Sequence, residues 1–292
     1  MLPRGLRRRI FICGTVALGF SAAAAPVPQR IVSVSPTITE ILYGIGVFGR
    51  VIADTEYCTY PPEAKSLPKV GGWATPSVER IAGFRPDLVA ISDAQSPFLK
   101  GPLEQLGIRI VVARSRTIAD TFAAMEALGR ATGNERQAAD LAARVRTSLE
   151  TVRRRAARLP HPSVLCIVDR APGTLRDLYA ATEGSFLGEL ISIAGGKLVG
   201  GASRAGYGRI GKETVLAENP DIILDLLPSP NAGLHPEEAW NELPELNAVR
   251  RGRAYVVRED FAPRNSQRIA RTVLIFARLI HPEVLEREWE PR

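Results

Sequence analysis

Aromatic and acidic residues recur at matched positions in the two halves of this chain. Trp73 is followed six residues later by Glu79, and Tyr207 is followed six residues later by Glu213. A Pro-Asp dipeptide and a short apolar run then follow each pair at the same spacing. An aromatic ring offers apolar contact area, and a carboxylate offers charge. One ring and one carboxylate per half favour a ligand held between two similar lobes over a one-sided catalytic site.

Two roles are open for the glutamates. Ser77 and Gly211 are predicted helix N-caps, which places Glu79 and Glu213 in the first helical turn. There the helix dipole stabilises a carboxylate by roughly 0.3–1 kcal/mol. The alternative is a role in recognition, and the residues by themselves favour the structural role. Trp73 and its counterpart instead follow glycine in predicted loops, where α/β folds place their ligands.

The first 25 residues are predicted to be a signal peptide. Arg4 and the run Arg7–Arg9 form a positive region, and residues 10–20 form an apolar stretch that ends near four alanines. This layout is typical of export signals, and the stretch is shorter than the roughly 20 residues of a membrane span. A periplasmic location is therefore expected, by either the general or the twin-arginine route.

The net charge does not indicate a nucleic-acid partner. The formal charge of +7 includes the four arginines of the predicted leader, and the other arginines are dispersed among acidic residues. The one tight run, Arg153–Arg155, falls on a predicted helix, where a solvated face is expected.

The two cysteines of the mature chain leave their pairing open. Cys166 lies in a predicted buried strand and Cys58 in a loop. A buried inert thiol and a free loop thiol are the default expectation, and a disulfide is the alternative in an exported protein.

Short apolar runs alternate with helical segments on both sides of one long amphipathic segment. In that segment Ala138, Val145, Val152 and Leu159 recur every seven positions, with no glycine or proline before Pro160. The predicted fold is α/β, with two doubly wound lobes joined by a single long helix. The predicted divisions are a leader 1–25, a lobe 26–133, a connecting helix 134–159 and a lobe 160–292.

Six sequence blocks carry a resemblance to a known family: residues 30–40, 57–64, 78–81, 85–89, 184–190 and 195–196. These blocks resemble the periplasmic vitamin B12-binding proteins, and the resemblance extends over residues 29–281. Those proteins belong to the wider family of receptors for the cobalamin, iron–siderophore and haem importers of the ABC class. The resemblance implies a binding protein without catalytic residues, whose two α/β lobes are bridged by one long helix.

The resemblance also implies roles for individual residues. In that family a glutamate on each lobe docks onto arginines of the transmembrane permease subunits, and Glu79 and Glu213 are the matching positions. Aromatic side chains bind the ligand in the interlobe cleft. The matching aromatic positions are Tyr57, Trp73, Tyr207 and Phe261.

The sequence departs from the vitamin-binding pattern at one aromatic position. Tyr207 stands where tryptophan is typical, and Arg204 and Arg264 are expected near the cleft. Arginine suits propionate or catecholate oxygens better than corrin amides, so haem and ferric siderophores remain alternatives to a cobalt corrinoid. Surface charge or loop anchoring is an equal alternative for both arginines.

The competing class is an exported hydrolase, which needs a nucleophile and base or a bound metal. The chain lacks the G-x-S-x-G, H-E-x-x-H and phosphate-loop motifs. Each of its three histidines precedes proline, without the spacing of a metal chelate. We therefore expect a monomeric binding protein with no metal site and no cofactor besides its ligand, a cobalt corrinoid or an iron chelate.

Overall fold

The computed structural model describes residues 26–201, 206–226, 236–284 and 289. The predicted leader lies outside these residues. The first part of the chain forms, in order, β1 (Ile31–Ser33), α1 (Pro36–Gly44), β2 (Val51–Ala53), α2 (Val78–Gly83), β3 (Leu88–Ser92), α3 (Ser96–Gln105), β4 (Ile110–Ala113), α4 (Ile118–Thr132) and α5 (Glu135–Ala156). The second part forms β5 (Ser163–Asp169), β6 (Tyr179–Ala181), α6 (Phe186–Ile193), β7 (Lys197–Val199), β8 (Tyr207–Arg209), α7 (Lys212–Glu218), β9 (Ile222–Leu226), α8 (Asn247–Arg250), β10 (Ala254–Val257) and α9 (Ile269–Ile280).

Two sheets carry these elements, and the predicted α/β class is confirmed. The first sheet has the order β2-β1-β3-β4 and is parallel throughout. The second has the order β10-β9-β5-β6-β8, with β7 also paired to β5. Its strands β6 and β8 run antiparallel to their neighbours, so this sheet is mixed and not purely parallel.

The mixed sheet corrects one expectation about Tyr207. This residue begins the strand β8, whereas the sequence placed it in a loop. Both β6 and β8 have only three residues, which is too few to show a hydrophobic period, so the sequence gives no signal for either strand.

The long amphipathic segment forms α5, which lies between the two sheets in the chain. Its 22 residues span about 33 Å at 1.5 Å per residue. The apolar stripe is buried, and Val145 and Val152 are 3% and 0% exposed. The helix packs against α4 of the first part and against α6 and α9 of the second. One apolar core therefore includes side chains from both sheets and from α5.

The repeated Pro-Asp dipeptide has the same structural role in both parts. Asp87 accepts hydrogen bonds from the backbone N–H groups of Gln29 and Arg30 at 2.7 and 2.9 Å, just before β1. Asp221 accepts from the backbone N–H and hydroxyl of Ser163 at 3.1 and 2.8 Å, at the start of β5. Each aspartate thus ties the start of its own strand to the start of the adjacent parallel strand.

Candidate functional site

Two exposed aromatic rings lie together on the first part of the chain. Tyr57 and Trp73 have exposed fractions of 60% and 41%. The Tyr57 ring lies so close to Gly72 that a Cβ atom there would be 3.7 Å from its Cε2 atom. Gln95 is buried, and its amide nitrogen donates to the carbonyl oxygens of Trp73 at 2.8 Å and Val34 at 2.7 Å. Both rings are therefore exposed, and a hydrogen bond from Gln95 holds the backbone at Trp73.

Sequence reasoning missed Gln95, although a signal for it exists. Ser92 and Gln95 have the spacing of a capping box, and the Gln95 side chain accepts a hydrogen bond from the Ser92 backbone N–H at 3.0 Å. The cap fixes the orientation of the amide, which leaves its nitrogen free to hold the Trp73 turn.

An ion pair joins the two ends of the segment that carries Tyr57. Asp54 is fully buried at the end of β2, and its Oδ1 atom lies 2.6 Å from Nζ of Lys69. The backbone adds two hydrogen bonds, from Asp54 N–H to the Pro68 carbonyl and from Val70 N–H to the Asp54 carbonyl, at 3.1 and 2.8 Å. The residues between form a loop with fixed ends.

Cys58 lies in this loop but is buried, which differs from the expected free loop thiol. Its sulfur is 3.2 Å from the hydroxyls of Thr39 and Thr55. Burial raises the pKa of the Cys58 thiol, and the nearby Asp54 carboxylate raises it further. Cys166 is also buried, and neither cysteine is in a disulfide. Both thiols are therefore protonated and shielded at neutral pH.

The buried Asp54 carboxyl should make stability depend on pH. Burial raises its pKa to about 6 from 3.8, although Lys69 acts in the opposite direction. Because the folded state then binds the proton more tightly, this group destabilises the fold above pH 6 and does so less as the pH falls toward 4. Acidification from pH 7 to 5 should add about 1 kcal/mol to the free energy of unfolding through this group.

Urea denaturation of wild type and Asp54→Asn at both pH values measures this contribution. We expect the variant to lose the acid-induced gain. Asp177→Asn is the control, since the side chain of Asp177 is 66% exposed, and it should retain the gain. Equal pH dependence in wild type and Asp54→Asn would contradict the assignment.

The second part of the chain contributes a pair of stacked tyrosines. Tyr207 is partly buried, and its ring centre lies 6.1 Å from that of Tyr179 with an angle of 19° between the planes. Burial strongly raises the pKa of the Tyr207 phenol, and Cys166, Tyr179 and Glu189 raise it further. Tyr179, which is 40% exposed, was not singled out from the sequence, because no motif surrounds it. The pair offers an aromatic surface on β6 and β8.

The two parts of the chain meet at the carboxyl-terminal ends of the strands of the first sheet. After β4, the carbonyl oxygens of Arg116 and Thr117 accept hydrogen bonds from Phe186 N–H at 2.8 Å and from Nδ2 of Asn265 at 2.9 Å. At the first residue of α4, Ile118 N–H donates to Oε2 of Glu189 at 2.6 Å. In open α/β sheets this edge is where ligands bind.

Arg264 and Phe261 have little exposed surface in the structure. The Arg264 side chain is only 15% exposed, and its Nη1 atom donates to the buried Glu40 carboxylate at 2.7 Å. Phe261 is 4% exposed, and the guanidinium carbons of Arg268 and Arg271 lie 4.0 and 5.0 Å from its ring centre. Arg264 therefore joins the two parts of the chain, while Phe261 packs under arginines of its own part. For Arg264 this is the loop-anchoring alternative.

Of the remaining predicted residues, the structure describes Glu79 and Glu213. Glu79 and Glu213 are both exposed in the first turns of α2 and α7. The Glu213 carboxylate lies against Gly211, where a Cβ atom would come within 2.5 Å of its Oε2. Arg204 lies outside the described residues.

A cavity of about 1290 Å³ lies between α4, α5, α6 and β7. It is bordered by none of the aromatic residues selected from the sequence. Three of its charged groups contact one another or a ring: the Arg146 guanidinium lies 4.3 Å from the Phe122 ring centre, and Glu150 pairs with Arg153 at 3.5 Å. We therefore place the candidate ligand site at the exposed rings and not in this cavity.

No group of three or more histidine, cysteine or acidic side chains could hold a metal ion in the part of the chain that the structure describes. Among the same residues, no helix combines the length and the apolarity needed to span a bilayer.

Comparison with known proteins defines the class. The family model for periplasmic binding proteins matches residues 31–260, and the chain belongs to that family. Its members bind substrates for transport and are not enzymes.

Two relatives and two solved structures place the chain within this class. It is 26% identical over 89% of its length to an uncharacterized ABC transporter substrate-binding lipoprotein, YvrC, of Bacillus subtilis, covering 82% of that protein. It is 27% identical, again over 89%, to the vitamin B12-binding protein of Vibrio cholerae, covering 92% of it.

The crystal structure of the Vibrio cholerae vitamin B12-binding protein superposes with a TM-score of 0.74 at 25% identity. The alignment covers 87% of this chain and 97% of that one. A periplasmic haem-binding protein in complex with two haems superposes with a TM-score of 0.76 at 21% identity, covering 91% of this chain and all of the other. This second likeness shows the fold alone. The chain is thus a periplasmic binding protein of an ABC transporter, related to proteins that bind vitamin B12.

Proposed function

We propose that this protein binds cobalamin or a related corrinoid between its lobes and delivers it to the permease of an ABC importer. The observation that carries the proposal is the pair of exposed rings, Tyr57 and Trp73, at the edge of the sheet where the lobes meet. Flat, rigid rings suit a large macrocycle, because they bury apolar area at a small cost in conformational entropy. The similarity to vitamin B12-binding proteins over most of the chain supports the same ligand class.

The same proposal includes the export and the docking of the protein. Residues 1–25 would direct it to the periplasm, and lobes at residues 26–133 and 160–292 would enclose the ligand as a monomer. Glu79 and Glu213 would present the loaded protein to the two permease subunits, since both carboxylates are exposed at the starts of short helices.

A ferric ligand, as haem or a siderophore, is the second candidate. Tyrosine phenolates bind ferric ions, and the exposed Tyr57 lies in the same loop as Tyr60. The rings that suit a corrin also suit a porphyrin, so the metal and its ring system must be decided by titration.

Tryptophan fluorescence provides a direct test. Trp73 is 41% exposed, whereas Trp240 and Trp289 are 1% and 0% exposed. Acrylamide should therefore quench mainly Trp73 in the free protein. We expect cyanocobalamin, haemin or a ferric siderophore to quench the same red-shifted emission and to protect it from acrylamide. Visible absorbance of the bound chelate, read in parallel, identifies which of the three binds.

The variant Trp73→Phe is the control for this titration. It keeps an aromatic surface, so the absorbance change should persist. The ligand-dependent protection from acrylamide should be lost, because the two remaining tryptophans are buried and acrylamide does not reach them. Protection from acrylamide that survives in Trp73→Phe would place the ligand elsewhere. If none of the three chelates changes the absorbance of the mature protein, the proposed ligand class is wrong.

A further inference from the structure

A buried carboxylate of the first lobe is held by a segment of the second. Glu40 of α1 is fully buried. It accepts hydrogen bonds from Nη1 of Arg264 at 2.7 Å, from Nη1 of Arg268 at 3.2 Å and from the hydroxyl of Ser266 at 2.5 Å. Its backbone carbonyl accepts a further bond from Nε2 of Gln267 at 2.7 Å. The side chain and the backbone carbonyl of Glu40 therefore both bind residues more than 220 positions away in the chain.

The second arm of Arg264 reaches the loop that carries Tyr57. Its Nη2 atom donates to the hydroxyl of Thr59 at 3.1 Å and lies 3.4 Å from the Tyr57 carbonyl oxygen. The same atom is 3.2 Å from Oδ2 of Asp260, to which the Thr59 hydroxyl also donates at 2.7 Å. One guanidinium group thus links helix α1, the Tyr57 loop and the second lobe.

Arg268 strengthens this junction by stacking. Its guanidinium carbon lies 4.0 Å from the ring centre of Phe261 and 4.5 Å from that of Tyr60. One ring belongs to the second lobe and the other to the Tyr57 loop, so Arg268 also connects the two. A planar guanidinium can stack and donate hydrogen bonds at the same time, which lysine cannot do.

We propose that Glu40, Arg264, Ser266 and Arg268 form an interlobe clasp that positions Tyr57 for the ligand without touching the ligand. Separating the lobes would break the contacts that the Glu40 carboxylate makes with Arg264, Ser266 and Arg268, and the loss of these buried ion pairs and hydrogen bonds opposes opening. The clasp therefore restricts the angle between the lobes and keeps the Tyr57 loop in its binding arrangement. Its effect on affinity rests on the proposed function, whereas its effect on lobe geometry does not.

The test compares Glu40→Gln with Asp225→Asn, a matched buried carboxylate within one lobe. Asp225 is also 0% exposed, and it accepts hydrogen bonds from Nε of Arg170 and Nε1 of Trp240 at 2.9 Å each. Both variants lose a buried ionic contact, but only Glu40 links the two lobes. Any difference between them therefore reports on the clasp and not on general destabilisation.

Lobe geometry is measured by the distance between spin labels at Lys100→Cys and Glu245→Cys. Both positions are exposed, one in each lobe, whereas Cys58 and Cys166 are buried and should not react. We expect Glu40→Gln to broaden the distance distribution and Asp225→Asn to leave it unchanged. An unchanged distribution in Glu40→Gln overturns the clasp, whether or not any ligand binds.

The binding experiment uses cyanocobalamin and haemin as probes. If the binding-competent arrangement falls to about one tenth of the population in Glu40→Gln, the apparent Kd should rise about tenfold, with little change in Asp225→Asn. An unchanged Kd together with a broadened distribution would overturn the positioning role. If wild type binds neither probe, the proposed ligand class fails and the distance measurement still decides the clasp.

Arg264→Lys keeps the proposal testable if Glu40→Gln does not fold. Lysine retains the charge beside Glu40 but cannot bind the carboxylate and Thr59 together, because it lacks the guanidinium fork. We expect a folded protein with an intermediate broadening of the label distances. A distribution identical to that of wild type would again overturn the clasp.

Discussion

Uptake of the ligand should be abolished when Glu79 and Glu213 are both replaced by alanine, while ligand affinity stays at the wild-type level. Both carboxylates are exposed in the first turns of α2 and α7, and neither lies among the rings proposed to hold the ligand. Charges at the rim of an interface mainly affect association with a partner, so their loss should act on the permease complex. The measurements are transport into cells that depend on this receptor, and equilibrium binding to the purified variant.

The helix-capping role of the glutamates predicts a different result, so the two roles can be separated. Loss of a first-turn carboxylate costs roughly 0.3–1 kcal/mol of stability and should not stop transport in a folded protein. Glu104→Ala with Glu218→Ala is the matched control, since these exposed glutamates lie on α3 and α7 outside the first turn. Wild-type transport by the Glu79 and Glu213 double variant would contradict the docking assignment.

Truncating Trp73 should produce the largest loss of ligand affinity among single substitutions. Removal of a central aromatic contact typically costs about 2 kcal/mol or more, which is roughly a thirtyfold rise in Kd. Because Trp73 is 41% exposed on a turn held by Gln95, its replacement by alanine should leave the free energy of unfolding nearly unchanged. Binding followed by ligand absorbance and denaturation by urea measure the two effects separately.

Phe98→Ala is the control for this substitution. Phe98 is a similarly exposed aromatic residue, at 45%, but it lies on α3 and not in either loop of the candidate site. Its replacement should not change Kd. If Trp73→Ala and Phe98→Ala bind the ligand equally well, the exposed rings after β2 are not the binding surface.

The structural role of the aromatic and acidic repeat was predictable in part from the sequence. The spacing placed Glu79 and Glu213 in first helical turns, and the structure confirms both helix starts. The repeat did not predict that Asp87 and Asp221 join the starts of adjacent parallel strands, because those hydrogen bonds connect residues 57 or 58 positions apart.

The two aromatic members of the repeat turned out to have unequal surroundings. Trp73 is an exposed turn residue, whereas Tyr207 begins a strand and stacks on Tyr179. The chain around them has the same local pattern, but only the first site is a tight turn beside a parallel sheet. Pairing of β8 with β6 in the antiparallel direction depends on partners that no local pattern specifies.

What the sequence determined by itself is the long helix and the buried parallel strands, but not the short strands β6 and β8. Hydrophobic periodicity predicted α5, because burial of one face of a helix repeats every 3.6 residues. Short continuous apolar runs predicted the strands that are buried on both faces, such as β3. Tertiary structure alone decided the role of Arg264, whose charge meets Glu40 across 224 positions of sequence. An arginine that contacts a ligand and an arginine that anchors a buried interface can have the same neighbours in the sequence. Only the packing of one lobe on the other removes this arginine from water and supplies the carboxylate that compensates its charge.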